Sequence, residues 1–369
     1  MRVIDPDQRE AMRESFERLL AHRCTEADLR RIIAEKDAHD PALWQEIART
    51  GLLTILVPEA HGGIGGGALE IEILMEEAGK ALLPGPFLSS AVLATAALVE
   101  SSDEAAKARL LPVLADGSLI GTLAIAGEKG LWDGNDGDVT ASGGGEAATL
   151  SGVANYVSDG ALANLLLVVA GRGTARKLFE VTDRAGLSAT RLEGFDITQR
   201  LTRIIFDNVK AREIVGGDAA AIDRTLAMAR IALAGRQAGA AQRNFDFTVD
   251  YLRTRVQFGR PIGGFQAIKH MAADLLIERE SAISGARAAA EAHANGTDKA
   301  DELVAMASFA VSEAQVKIAF DALQMHGGIG FTWEHPCHLY LRRAWHDSKF
   351  LGSGDLARDR FISILEKQV

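Results

Sequence analysis

The chain has 369 residues, 47% of them hydrophobic and 24% charged, the balance of a folded protein with two or three modules or one large composite domain. Its formal net charge of −10 argues against nucleic acid or an anionic membrane surface as the main partner, but not against a phosphorylated small ligand, which needs only local positive charge. The two cysteines, Cys24 and Cys337, are too few for a metal cluster of their own or a disulfide framework, which suits a reducing cytoplasm.

In chain order, the first segment, MRVIDPDQREAMRESF, is charged and lacks the apolar core of a signal peptide. No stretch approaches the roughly 20 apolar residues of a membrane span. AMRESFERLLAHRC places Met12, Phe16, Leu19 and Leu20 on one helical face, and ALWQEIARTGLL predicts a helix closed at Gly51. Ala68–Leu82 predicts an amphipathic helix stopped by Pro84 and Pro86, and FLSSAVLATAALVES and AAKARLLPVLADG predict two more. From Leu119 the texture changes to short apolar or alternating runs, LIGTLAIAG, ATLSGVANYVSD, ANLLLVVAG, RKLFEVTD and TRIIFDNV, separated by glycine-rich turns. The glycines in GDVTASGGGEAATL predict a hairpin loop; no helix follows them to offer amides to a phosphate. Asp218–Arg253, Phe265–Asn295 and Lys299–His326 predict long helices, the first rich in Ala and Gly as close helix packing requires. The order predicts an α+β fold with helices over 1–118, a β domain over 119–211 and a helical bundle over 212–369. The βαβ alternation of a dinucleotide-binding fold is missing.

Two stretches carry candidate chemistry. In YLRTRVQFGRPIGGFQAIKHMAAD, Arg255, Gln257 and Gln266 gather one guanidinium and two amides around a helix junction. That set suits a phosphate and a polar ligand, or equally a helix-linking turn with Arg255 in a structural ion pair. In QMHGGIGFTWEHPCHLYLRRA, Gly327 and Gly328 follow a long helix and let backbone pass close to a bulky ligand. His326, His335 and His338 lack partners at metal-ligand spacing, Glu334 excepted, so no metal is expected.

RVQFGRPIGGFQ and QMHGGIGFT together resemble the C-terminal signatures of the acyl-CoA dehydrogenase family. LWQEIARTGLLTILVPEAHGGIGGG resembles its N-terminal helical segment, LSGVANYVSDGALANLLLVVA its flavin-backing β segment, and FDITQRLTRIIFDNV its last strands. The resemblance covers nearly the whole chain, in order. It implies an N-terminal helical domain, a middle antiparallel β domain and a C-terminal four-helix bundle. It further implies an FAD-dependent homo- or heterotetramer that oxidises an acyl-CoA thioester and passes electrons to an electron-transferring flavoprotein. Arg255, Gln257, Phe258 and Gln266 would hold the pyrophosphate and adenosine side of FAD. Gln324, Gly327 and Gly328 would reach the same FAD from a neighbouring subunit. Tyr156, Val157 and Ser158 would stand against the isoalloxazine, and Ser353 would donate to the cofactor.

The family pattern breaks at the base. A glutamate in a Glu-Gly-Thr turn ordinarily takes the substrate's α-proton; here the turn is Leu351-Gly352-Ser353. A second location known in the family falls on Ala229. The usual Thr-Glu…Gly-Ser-Asp loop is replaced by Ala124–Gly134. Asp347, Asp355 and Glu334 are the nearby acids. The alternatives are one of these acids as base, a heteromer whose partner supplies it, as the GFTWEH run shared with bacterial sterol side-chain dehydrogenases suggests, or flavin chemistry that needs none. Of the two HGGIG copies, His61–Gly65 is expected to be a turn joining helices beside an acyl pocket, and His326–Gly330 a backbone approach to FAD.

Overall fold

A computed structural model describes residues 4–133 and 137–367, so Gly134, the last residue of the divergent loop, lies outside them. Local chemistry sets the first helices. Asp5 caps α1 (Pro6–Arg23), Thr25 and Asp28 form a capping box on α2 (Glu26–Ala34), and Asp40 accepts from the Ala42 and Leu43 amides at the start of α3 (Pro41–Arg49). Gly51 follows with φ 78°, the left-handed stop its position predicts. Then come α4 (Ala68–Lys80), a π-helical segment Phe87–Ala94 running into α5 (Thr95–Val99), and α6 (Glu104–Ala115).

The middle region carries β1 (Gly121–Ala124), β2 (Asp138–Ser142), β3 (Ala148–Ser158), β4 (Leu165–Ala170), β5 (Lys177–Val181), β6 (Leu187–Leu192) and β7 (Leu201–Glu213). They form one sheet in the order β1-β4-β5-β7-β3-β2, with β6 also paired to β7. The sheet is mixed, where the resemblance implies an antiparallel one: β1 and β4 run parallel, Gly121 opposite Leu165. Both strands are buried at every position, as strands covered on both faces must be, and LLLVVA supplies the continuous apolar run this needs. β7 instead alternates buried and exposed positions along most of its length.

The remainder is α7 (Ala219–Thr254), a two-residue pairing of β8 (Val256–Gln257) with β9 (Arg260–Pro261), α8 (Gln266–Ala294), α9 (Ala300–His326), α10 (Cys337–Asp347) and α11 (Gly354–Glu366). α7, α8 and α9 pack on one another, α11 joins through α9, and α4 lies along α7 and α8. One apolar core runs from Phe16 through the sheet to Leu351. The α4–α7 crossing depends on glycine: a Cβ at Gly239 would stand 1.9 Å from the Glu76 carbonyl oxygen, and one at Gly79 2.0 Å from that of Arg236. Contrary to expectation, Ala300–Phe331 is long and apolar enough to cross a bilayer. Half of its most apolar window is buried, and α9 packs on both α7 and α8, as the central helix of a bundle does.

Candidate active site

Leu351 lies at a tight corner between α10 and α11, at φ 59° with Gly352 at φ 116°, and is buried. Left-handed backbone is costly for a γ-branched residue, so surrounding structure holds it there. The corner lines a cavity of about 500 Å³. One face of α7 forms a wall of it, presenting Arg230, Leu233 and Gln237 at helical spacing. Asp347 stands on the same cavity, its Oδ1 accepting from Arg236 Nη2 at 2.6 Å. Three buried polar atoms of this lining have no hydrogen-bond partner: Arg230 Nη1, Gln237 Nε2 and Asp347 Oδ2. Burial, with help from Arg360, pushes the Arg230 guanidinium down to about 10.

A second cavity of about 390 Å³ adjoins the first, and the two share Trp132, Phe350, Ser353 and Leu356. The Trp132 and Phe350 rings meet at 4.6 Å. Tyr156 lines this second cavity at φ 56°, and Gly130 leaves room for its ring. Val157 and Ser158, expected beside it, point elsewhere. Val157 is fully buried in the sheet core, and Ser158 is buried with its Oγ 3.2 Å from Asp159 Oδ2. Ser353 caps α11 through a 3.5 Å bond from the Leu356 amide and reaches both cavities. A wholly buried ion pair, Arg343 Nε to Asp196 Oδ2 at 2.9 Å, ties α10 to the segment before β7.

Arg255, Gln257, Phe258 and Gln266 sit at the α7–α8 junction, all exposed, Phe258 at 92%. Among the described residues Arg255 forms no ion pair, so the structural-pair alternative is not met. The α8 N-terminus at Gln266 has no side-chain cap, leaving its first amides free for an anion. Gln324, Gly327 and Gly328 are exposed beside this junction, because Tyr251 stacks on His326 at 4.5 Å. One chain therefore carries both signatures side by side, where the sequence reading divides them between subunits. The second cavity lies elsewhere: α10, 11 residues and so ~16 Å long, separates its Trp345 from His335, which meets Tyr251 at 6.3 Å. His326, His335 and His338 face aromatic rings, and no group of three metal-binding side chains occurs among the described residues.

The acids near the missing glutamate separate cleanly. Asp355 is solvent-facing and 3.8 Å from Arg358, Glu334 is exposed at the signature end, and Ala229 is buried. Asp347 alone of the candidates lines the Leu351 cavity. Sequence reading missed Arg230, Gln237 and Trp132. Arginine and glutamine seven residues apart in an alanine-rich helix were the available signal. The first HGGIG copy is a turn, as expected: Gly62 and Gly65 have positive φ, and a Cβ at Gly63 would strike the Val57 oxygen. Gly65 borders a further cavity with Met228, Ala96 and Val99.

Residues 6–118 match the family model of the acyl-CoA dehydrogenase N-terminal domain, and residues 216–362 that of the acyl-CoA dehydrogenase C-terminal domain. The chain belongs to the acyl-CoA dehydrogenase family, whose members are flavin oxidoreductases that use FAD. It is 34% identical over 354 residues to the acyl-CoA dehydrogenase IpdE2 of Mycobacterium tuberculosis, covering 95% of both chains. Among solved structures it is similar to a steroid ACAD variant, Tcur3481–Tcur3483, with 30% identity, a TM-score of 0.89 and 98% of each chain covered. It is also similar to the ChsE4–ChsE5 complex from Mycobacterium tuberculosis, with 27% identity, a TM-score of 0.90 and 100% and 99% of the two chains covered.

Proposed function

We propose that this protein dehydrogenates the α,β bond of an acyl-CoA thioester and delivers the electrons to an electron-transferring flavoprotein. The observation that carries the reading is the pair of adjoining cavities at the Leu351-Gly352-Ser353 corner, with Asp347 on one and Tyr156 on the other. The chain's residues fit FAD: an unpaired Arg255 beside an uncapped helix N-terminus for the pyrophosphate, and a cavity walled by Tyr156 and Trp132 for the ring. Bound FAD supplies the two-electron oxidant. Gln257, Phe258, Gln266, Gln324, Gly327 and Gly328 flank the adenosine side, and Ser353 reaches the ring side. The backbone N–H of Leu351 polarises the thioester carbonyl, a role that does not depend on its side chain. Asp347 takes the α-proton through Oδ2, the oxygen that its pairing with Arg236 leaves free.

A second reading is favoured by Leu351 itself. A chain without the family glutamate suits a heterotetramer whose partner supplies the base, and the likeness to the two-protein ChsE4–ChsE5 complex supports it. The likeness to a steroid ACAD supports a steroid-derived acyl group. Both cysteines are free and buried, which suits a cytoplasmic location.

The test is anaerobic bleaching of the purified flavin-loaded chain by a panel of acyl-CoAs. Bleaching by the chain alone, lost in Asp347→Asn, supports the first reading. Bleaching only after a glutamate-bearing family member is added supports the second. A protein that takes up no FAD, alone or with such a partner, sinks both. Arg255→Ala is expected to lower retained flavin severalfold, read as the ratio of absorbance at 450 to 280 nm; unchanged flavin content rejects the Arg255 role.

A further inference from the structure

Three imidazoles meet where α9 ends and α10 begins. His326 and His338 are buried, and His335 is partly so. The His326 and His335 rings lie 4.4 Å apart, and Tyr251 and Phe247 of α7 pack on both. His326 Nδ1 donates to the Ala322 carbonyl at 2.8 Å, so its lone pair is at Nε2, which is sealed from solvent without a partner. His335 Nδ1 accepts from the Cys337 amide at 3.2 Å. His338 Nε2 is also sealed and unpartnered, and the Trp333 ring meets this imidazole edge-on at 4.9 Å. None of the three lines either cavity at the Leu351 corner.

The surroundings keep each ring neutral. A proton on His326 Nε2 would have no acceptor, and one on His335 Nδ1 would confront the Cys337 N–H. Charging both would set two cations side by side. The charged side chains that bear on the group are Arg30 and Glu26 from α2 and Arg342 from α10, an excess of positive charge; Tyr251 is the titratable neighbour on α7. Burial holds the His326 ring below the ordinary imidazole range, although the Ala322 carbonyl favours its charged form. Burial holds His335 down in the same way and, with Arg342 and Arg30, pushes His338 down to about 4. Opened to water, all three would titrate at about 6.5. Below that pH the open form binds more protons than the closed one, so opening becomes more favourable as pH falls; well above it the two forms bind protons alike.

We infer that His326, His335 and His338 form an acid-released latch, whose protonation frees the Gly327–Phe331 turn and the start of α10 from α7. The latch holds the face that presents Phe331 and Trp333, 71% and 60% exposed. Loss of flavin on opening rests on the reading of Gly327 and Gly328 as cofactor contacts; the latch itself does not.

The test is hydrogen exchange of the full chain, read by mass spectrometry at about pH 7.5 and about pH 5.5, with labelling times scaled to the chemical exchange rate. The parent is compared with His338→Phe and with His326→Phe combined with His338→Phe, which keep aromatic rings but bind no proton. Melting temperatures at the higher pH are checked first, and His338→Gln stands in for a phenylalanine variant that does not fold. On acidification, opening of residues 322–340 in the parent is expected to rise about ten- to a hundredfold relative to β3, about tenfold for each proton taken up. The rise is expected to shrink stepwise from parent to single to double variant. An equal rise in all three proteins, or none in the parent, overturns the inference. Flavin absorbance is followed on the same samples. Exchange that rises without flavin loss leaves the latch standing and rejects the cofactor role of the turn; the exchange readout stands whether or not the chain retains flavin.

Discussion

Glu72 is 1% exposed on α4, and its Oε1 has no partner. Burial, reinforced by the neighbouring Glu76 carboxylate, pushes its carboxyl up to about 8 from the ordinary 4.5. Below about 4.5 the folded and unfolded chains both hold this proton. Between there and about 8 the unfolded chain releases it and the folded chain does not, so the native state loses stability as pH rises through that window. Glu72→Gln removes the titration. The variant is expected to gain stability relative to the parent from pH 5 to pH 8, read as the difference in urea midpoints; a constant difference rejects the account. At the same scale Leu351 combines a left-handed backbone with a side chain that cannot accept a proton, so under the proposed function backbone polarisation at this corner and proton abstraction fall to different residues.

α4 and α7 cross with carbonyl groups against glycine, at Gly239 on one helix and Gly79 on the other. Such an approach leaves no space for a methyl group, and neither backbone can retreat without opening the core that runs beneath it. Gly239→Ala, which would favour an isolated helix, is expected to destabilise the fold by ~1–3 kcal/mol or more, seen as a lowered melting temperature. A melting temperature at or above the parent's would show that the crossing relaxes freely. The alanine and glycine content of Asp218–Arg253 made this packing legible in the sequence. The polar face on the same helix was not legible, because Arg230 and Gln237 acquire their meaning only from α11 and the Leu351 corner, more than a hundred residues away.

The molecule as a whole has an unfinished end. Phe258, Phe331 and Trp333 are 92%, 71% and 60% exposed around the two signature turns, a density of exposed apolar side chains that marks a contact face. The flavin reading needs such a face, since the signature turns and the Tyr156 cavity lie near opposite ends of α10. The chain, alone or with a family partner, is therefore expected to run as a multimer in light scattering, and Phe258→Asp with Phe331→Asp to shift it to smaller species with less flavin. A parent protein that is monomeric and fully flavin-loaded would reject the shared site.

The amino-acid sequence by itself determined the helical, β and helical order, the long helices of the bundle, the turn at the first HGGIG and the absence of a glutamate at residue 351. All of these follow from short-range periodicity, glycine placement or ordered motifs. Tertiary structure alone decided that β1 lies parallel to β4, that Asp347 and not Asp355 or Glu334 reaches the cavity, and that both signatures share one end of one chain. It also decided that Val157 and Ser158 turn away from the cavity Tyr156 faces. The reason is common to these cases. Which direction a strand runs and which acid loses its solvent depend on partners distant in sequence, and no local pattern encodes a neighbour that the chain meets only when folded.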